Sequence, residues 1–174
     1  SEQGWTQLAE LDQGPQWDLV VSSPSRRCRE YAEKLASIRG IPLAINDAFR
    51  EVDLGEWIGR ATDSIWASER ERLLQLWHNP ETFVAPGGEA ITDFIARIDQ
   101  AAAELFDSQP GKRVLLLTHA GVIRALLARL LGISAKNVQK FGVAHGKINR
   151  LSIYPDGEIS LLRWGCSPVE LANY

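Results

Sequence analysis

Residues 113–121, Arg-Val-Leu-Leu-Leu-Thr-His-Ala-Gly, decide the fold of this protein. The apolar run Val114–Leu117 is typical of a parallel strand that is buried on both faces. A polar turn closes the run, and apolar residues then recur at helical spacing on one face: Val122, Leu126, Leu127, Leu130 and Leu131. The segment therefore predicts a central strand that leads directly into a helix.

A second strand-to-helix turn lies upstream. Residues 17–21 are apolar and β-branched, and Ser22-Ser23-Pro24 closes them. A helix is predicted over residues 24–38, with Ser23 as its N-cap and Pro24 at its first position. Gly40 is expected to end that helix.

The remaining segments continue the alternation of strands and helices. The sequence predicts an extended segment over 43–53, helices over 61–77 and 89–106, a short helix near 135–140, and hairpin strands over 147–154 and 158–163 around Pro155-Asp156-Gly157. Strand–helix alternation followed by a terminal hairpin predicts one α/β domain over residues 1–174. We expect a mainly parallel sheet with helices on both faces.

Composition excludes several classes of protein. The chain has 174 residues, a formal net charge of −3 and 45% hydrophobic residues, which is typical of a folded globular domain. No basic run occurs, so we expect no nucleic-acid partner. No stretch of 18 apolar residues occurs, so we expect no membrane-spanning helix. The two cysteines are too few for a disulfide framework, which favours a cytoplasmic protein.

The two strand-to-helix turns carry residues suited to chemistry. Arg26, Arg27 and Arg29 follow the first strand, where an arginine opposes the dipole of the helix unless an anion such as a phosphate ester compensates it. A solvated helix face is the alternative for these arginines. His119 ends the second strand beside Gly121 and is either catalytic or a structural histidine.

A third candidate segment covers residues 49–59. It carries Glu51, Asp53 and Glu56 among apolar residues and glycines, so it could supply a general acid or could be a solvated acidic loop. The three histidines have no metal-ligand spacing. The motifs for a P-loop, a dinucleotide site and a nucleophile elbow do not occur.

Four segments together resemble the histidine phosphatase (phosphoglycerate mutase-like) superfamily. Residues 22–32 are similar to the family's SSPLxRxxxTA motif, and residues 51–59 are similar to its ExDFGxWEG motif. Residues 86–90 are similar to its PGGES motif, and residues 118–124 are similar to its SHGGVIR motif. Their order and spacing match over nearly the whole chain. Within the superfamily, the chain looks closest to small bacterial α-ribazole phosphatases.

The resemblance implies a three-layer fold and a phosphoryl-transfer site. By it, Arg27 would grip the phosphate, Glu51 would protonate the leaving oxygen, and His119 would hydrogen-bond the transferring phosphoryl group, aided by the backbone N–H of Ala120. It implies no metal and no cofactor, and a small phosphorylated metabolite as the partner. A homodimer stays open.

The sequence departs from the family's pattern in two ways. Ser25, Tyr31, Ile58 and Ala90 stand where the family has Leu, Thr, Glu and Ser. The family's Arg-His-Gly motif, which carries the nucleophile, does not occur here, although residues 1–7 resemble the segment that follows it. We expect a strand with Arg-His-Gly to precede Ser1 and to lie beside the strand that ends at His119.

These patterns lead to one main hypothesis and two alternatives. The main hypothesis is a phosphatase that hydrolyses a small phosphate monoester through a phosphohistidine, with α-ribazole 5′-phosphate as one candidate substrate. The alternatives are a phosphotransferase of the phosphoglycerate mutase type and an inactive relative that only binds phosphate esters.

Overall fold

Three parallel strands form the sheet that positions the candidate site. The computed structural model describes residues 14–172, so the segment 1–7 discussed above lies outside the described residues. The elements are β1 (Leu19–Ser22), α1 (Arg26–Arg39), β2 (Leu43–Ile45), α2 (Thr62–His78), α3 (Ile91–Ser108), β3 (Val114–Leu117), α4 (Ala120–Leu130), β4 (Ile148–Ile153), β5 (Ile159–Cys166) and α5 (Pro168–Ala172). Short 3-10 turns lie at Asp47–Phe49, Gly55–Trp57, Pro80–Thr82 and Ala135–Lys140.

Helices cover both faces of this sheet. Its strand order is β2-β1-β3, and all pairs are parallel. Val20 packs with residues of α1 on one face, whereas Val21 packs with residues of α3 and α4 on the other. Neighbouring strand residues point to opposite faces, so this alternation produces three layers. The predicted α/β architecture with a mainly parallel sheet is confirmed.

The start of the first helix was predicted two residues too early. α1 begins at Arg26, and Ser25 occupies the N-cap position without a capping side-chain hydrogen bond. The Ser23 hydroxyl lies instead against His119, 2.8 Å from its Nε2 atom. Gly40 ends the helix as predicted, with φ of 64° in the left-handed region that glycine adopts without strain.

Two further boundaries differ from the prediction. The extended segment ends at Ile45, because the Asn46 side chain accepts the N–H of Ala48 and starts the 3-10 turn Asp47–Phe49. The third predicted helix, over 89–106, begins at Ile91. The second predicted helix agrees with α2, and the predicted strand that precedes His119 agrees with β3.

The C-terminal hairpin forms a separate sheet. β4 and β5 pair antiparallel around the predicted turn, where Gly157 has φ of 86°. In the part of the chain that the structure describes, β1 is the middle strand of the parallel sheet and β3 pairs with β1 alone. None of the helices within residues 14–172 has the length and apolar character needed to cross a membrane.

Candidate active site

The two strand-to-helix turns lie side by side at one edge of the sheet. Ser22 is paired with Leu117 in the parallel register, and the N–H of Ser23 donates to the carbonyl of Leu117 at 2.9 Å. The N-termini of α1 and α4 therefore begin next to each other. In open α/β sheets this carboxyl edge is where ligands bind.

His119 lies at the centre of this edge and is only 4% exposed. Its Nδ1 atom is 2.7 Å from Nη2 of Arg27, and its Nε2 atom is 2.8 Å from the Ser23 hydroxyl. A guanidinium can only donate hydrogen bonds, so Nδ1 must be the acceptor. The neutral ring therefore carries its proton on Nε2 and donates it to Ser23.

The environment of His119 keeps the ring neutral. Burial lowers its pKa, and the positive charge of Arg27 lowers it further, to about 4. At neutral pH the imidazole therefore offers Arg27 a lone pair and carries no charge.

The three arginines at the start of α1 divide between solvent and site. Arg26 pairs with Glu30 at 2.6 Å, and Arg29 pairs with Glu33 at 3.5 Å, both on the exposed side of the helix. For these two, the solvated helix face is the correct interpretation. Arg27 instead turns to His119.

Glu51 is the one carboxylate of its segment that reaches this edge. Its Oε2 accepts the N–H of Gly121 at 3.2 Å, and its Oε1 accepts the N–H of Val52 at 3.1 Å. The carboxylate thus lies on the first turn of α4, where the helix dipole favours an anion. Asp53 and Glu56 are exposed, and Asp53 caps its own turn by accepting the N–H of Gly55 at 2.8 Å.

All four residues predicted for the site are placed at the same edge. Ala120 is the first residue of α4, directly after His119, and its N–H is one of the first-turn donors that have no acceptor inside the helix. Arg27, His119 and Ala120 are adjacent through the paired strands, and Glu51 joins them through Gly121. Their chemical roles stay predictions.

Sequence reasoning did not assign three further residues of the site. Ser23 fixes the His119 ring, and its signal was the run of serines at the strand end. Gly121 permits the approach of Glu51, because a Cβ atom built there would overlap the Glu51 carboxylate. Cys28 Sγ lies 3.9 Å from His119 Nε2, and burial raises the pKa of this thiol.

Two loops beside the site interlock through glycines. A Cβ atom on Gly55 would overlap the carbonyl of Pro86, and a Cβ atom on Gly88 would overlap the carbonyl of Asp53. The N–H of Glu56 also donates to the carbonyl of Pro86 at 2.9 Å. Only glycine allows the two backbones to approach this closely.

Within residues 14–172, no group of three or more His, Cys, Asp or Glu side chains is arranged to hold a metal ion.

The fold and the arrangement of Arg27, His119 and Glu51 define a class of enzyme that handles phosphate esters. Arginine and histidine side chains converge beside two helix N-termini, as the binding of a doubly charged phosphate requires. The chain belongs to the histidine phosphatase superfamily (branch 1), whose family model matches residues 1–167. The resemblance carried by the four sequence motifs is thereby confirmed.

Named relatives agree with this class. The chain is 32% identical over 157 residues to a glucosyl-3-phosphoglycerate phosphatase of Mycobacterium tuberculosis (strain CDC 1551 / Oshkosh), covering 84% of this chain and 70% of that protein. It is 27% identical over 139 residues to the adenosylcobalamin/α-ribazole phosphatase of Escherichia coli (strain K12), covering 80% of this chain and 68% of that protein. Both relatives are named as phosphatases, and the chain is a phosphoric monoester hydrolase of the same superfamily.

A solved structure shows the same fold. The complex of a mycobacterial glucosyl-3-phosphoglycerate phosphatase with inorganic phosphate superimposes with a TM-score of 0.84 at 30% identity. The match covers 97% of this chain and 88% of that one.

Proposed function

We propose that this protein hydrolyses a small phosphate monoester through a phosphohistidine intermediate. The observation that carries the proposal is the 2.7 Å contact between Arg27 Nη2 and His119 Nδ1, beside the N-terminus of α4. A bound phosphate oxygen would replace this direct contact, because two atoms 2.7 Å apart leave no room for a third. The oxygen would accept a hydrogen bond from the guanidinium and a second one from the imidazole once Nδ1 is protonated. Donors placed around the equatorial oxygens supply most of the catalysis in phosphoryl transfer.

Glu51 would act as the general acid in the first step and as the general base in the second. In the first step a histidine nitrogen attacks phosphorus, the P–O bond to the alcohol breaks, and Glu51 gives its proton to the leaving oxygen. In the second step Glu51 takes a proton from the attacking water and the P–N bond breaks, which releases inorganic phosphate. The N–H of Ala120 would bind an oxygen of the transferring group.

The nucleophilic histidine is proposed to come from an Arg-His-Gly strand that precedes Ser1. Of the three histidines in the chain, His78 ends α2 and His145 lies in a loop, and both are exposed. His119 is held by Arg27 at Nδ1 and by Ser23 at Nε2, and we propose it as a donor to the phosphoryl group and not as the nucleophile. A strand added at the outer edge of β3 would bring a histidine to the carboxyl end of the sheet, next to His119.

The proposed substrate is a small phosphorylated metabolite. α-Ribazole 5′-phosphate and glucosyl-3-phosphoglycerate are the first candidates, because relatives named for these substrates match the chain. The cytoplasm is the proposed compartment, because Cys28 and Cys166 are free thiols.

The test is a phosphate-release assay on the full natural chain. We expect release of inorganic phosphate from at least one small monoester, and a transient protein label that is stable in alkali and labile in acid, as a phosphohistidine is. The same samples are assayed for isomerisation of phosphoglycerate. Isomerisation without phosphate release would support the mutase alternative, and tight binding of a phosphate ester without turnover would support the inactive relative.

A further inference from the structure

We propose that Arg97 of α3 is a positioning residue that holds the backbone of residues 48–51 and thereby directs Glu51 at the leaving oxygen. The inference rests on the proposed function, because it assumes that Glu51 is the general acid.

Arg97 binds several carbonyls of one irregular segment. Its Nη1 donates to the carbonyls of Ala48 and Arg50, the latter at 3.0 Å, and its Nη2 donates to the carbonyl of Glu51 at 3.2 Å. The side chain of Arg97 is only 15% exposed. None of these three carbonyls lies in a strand ladder or an α-helix, and each accepts a hydrogen bond from Arg97, which therefore helps to hold the shape of the segment.

Glu89 holds Arg97 in place from the other side. Its Oε1 lies 2.7 Å from Arg97 Nη2, and its Oε2 lies 3.1 Å from Arg97 Nε, which is a two-point contact. The Glu89 Oε1 also accepts the N–H of Asp53 at 2.8 Å, and the N–H of Glu89 donates to the carbonyl of Asp53 at 2.9 Å. Burial raises the pKa of Glu89, but the hydrogen bonds from Arg97 and from the Asp53 N–H outweigh it and keep the pKa below its ordinary value.

The opposite side of the segment is held by the strand that leads to His119. The Thr118 hydroxyl donates to the carbonyl of Phe49 at 2.8 Å, while Arg97 holds the carbonyls on either side of it. The Glu51 side chain therefore extends from a backbone that is held on both sides, and its carboxylate accepts the N–H of Gly121. A lysine could keep the ion pair with Glu89, but it lacks the planar fork that serves three carbonyls and a carboxylate together.

Two substrates with different leaving groups test whether Arg97 positions Glu51 or only stabilises the fold. p-Nitrophenyl phosphate leaves as a stable anion and needs little help from an acid, whereas an alkyl phosphate such as glycerol 3-phosphate needs a proton on its leaving oxygen. For Arg97→Lys in the full natural chain, we expect kcat/KM for the alkyl ester to fall about 10- to 100-fold, as displacements of about 1 Å can cause. For p-nitrophenyl phosphate we expect kcat/KM to change within about 3-fold, because this constant reports the step that releases the alcohol and not the later hydrolysis of the phosphohistidine, in which Glu51 also acts.

A matched control is available in Arg60→Lys. Arg60 pairs with Glu69 at 2.7 Å and is also partly buried, but it binds side chains near α2 and no carbonyl of residues 48–51. This variant should leave the ratio of the two rates at the wild-type value. Glu89→Gln provides a second route if Arg97→Lys does not fold, because it releases the fork of Arg97 and should change the ratio in the same direction.

The outcomes distinguish this inference from the proposed function. An equal loss on both esters, or no loss on either, in a folded Arg97→Lys or Glu89→Gln variant would overturn the positioning role while leaving the phosphatase assignment intact. A wild-type protein that hydrolyses neither ester nor any other monoester would overturn the proposed function itself.

Discussion

The two helix N-termini at the site are built from the same kind of turn but carry opposite charge. α1 and α4 each follow a parallel strand, and the two strands are paired directly. The first turn of α1 contains Arg26 and Arg27 and no acidic residue, whereas the first turn of α4 binds the Glu51 carboxylate through the N–H of Gly121. A helix N-terminus favours anions. The N-terminus of α4 has a carboxyl group of the protein itself beside it, whereas the first turn of α1 has no acidic residue.

The difference shows where the charge of a substrate is needed. At α4 the N–H of Gly121 is bound by a protein carboxyl group, Glu51, which must carry a proton when it acts as the proposed acid. At α1 the arginine is left beside a neutral His119, and an external phosphate would supply the missing negative charge. The site is therefore divided into a substrate-binding turn and an acid-holding turn, with His119 between them.

Removal of the charge at the substrate-binding turn gives the largest expected effect. Arg27→Ala should lower kcat/KM by about 10²- to 10³-fold, because a donor aimed at the transferring group contributes about 3–4 kcal/mol. The melting temperature should change little, because Arg27 is an exposed residue overall. Steady-state kinetics and a thermal melt of the same sample measure both quantities.

Arg29→Ala is the control for that substitution. Arg29 lies in the same helix but pairs with Glu33 on the solvent side, so its loss should change kcat/KM by less than about 3-fold. If both variants lost activity equally, Arg27 would act only through the general field of the helix, and the contrast between the two turns would lose its basis.

Acidification acts on the histidine between the two turns. The pKa of His119 is about 4 in the folded protein, against an ordinary value of 6.5, so the unfolded chain binds a proton in a range where the folded protein does not. The free energy of unfolding should therefore fall as pH drops from about 6.5 toward 4. The loss should be about 2 kcal/mol at pH 5 and about 3 kcal/mol in full.

Two variants isolate this effect. His119→Gln removes the titrating ring and should flatten the stability curve above pH 5 in urea titrations. His145→Gln alters an exposed histidine and should leave the curve as it is in the wild-type protein. A wild-type curve that is flat between pH 7 and 5 would contradict a neutral, buried His119.

Gly121→Ala disturbs the acid-holding turn and gives the smallest of these effects. The added Cβ would displace the Glu51 carboxylate, so we expect about a 10-fold fall in kcat for alkyl phosphates and a smaller fall for p-nitrophenyl phosphate. The gain in helix propensity, about 1 kcal/mol, should offset part of the strain. Unchanged kcat for alkyl phosphates would mean that Glu51 does not act from its place on α4.

The sequence alone predicts the strands and helices of the site because their signals are local. The apolar run of β3 and the glycine that ends α1 identify their elements directly. Which arginine faces His119 is not a local property. A helix started at Pro24 instead of Arg26 leaves the spacing of the arginines unchanged, and which of them meets His119 depends on how α1 packs on the sheet.

The contacts between distant segments lie beyond sequence reasoning for a related reason. Arg27 and His119 are 92 residues apart and meet only through the register of β1 and β3. Arg97 lies three residues after Phe94 and four before Ala101, so its position on the apolar face of α3 is the signal that could have singled it out. The sequence does not show what it binds there, because its partners besides Glu89 are backbone carbonyls.

The interlocked glycines Gly55 and Gly88 have a consequence for how such enzymes diversify. Each glycine gives room to the backbone of the other loop, and Glu89, which follows Gly88, ties its loop to Asp53. Residues 53–56 and 86–89 therefore pack as one unit, although they lie far apart in the sequence. An engineer who grafts a new loop at either place would need to transplant both, because a change in one loop alone leaves its counterpart without the surface against which it was shaped.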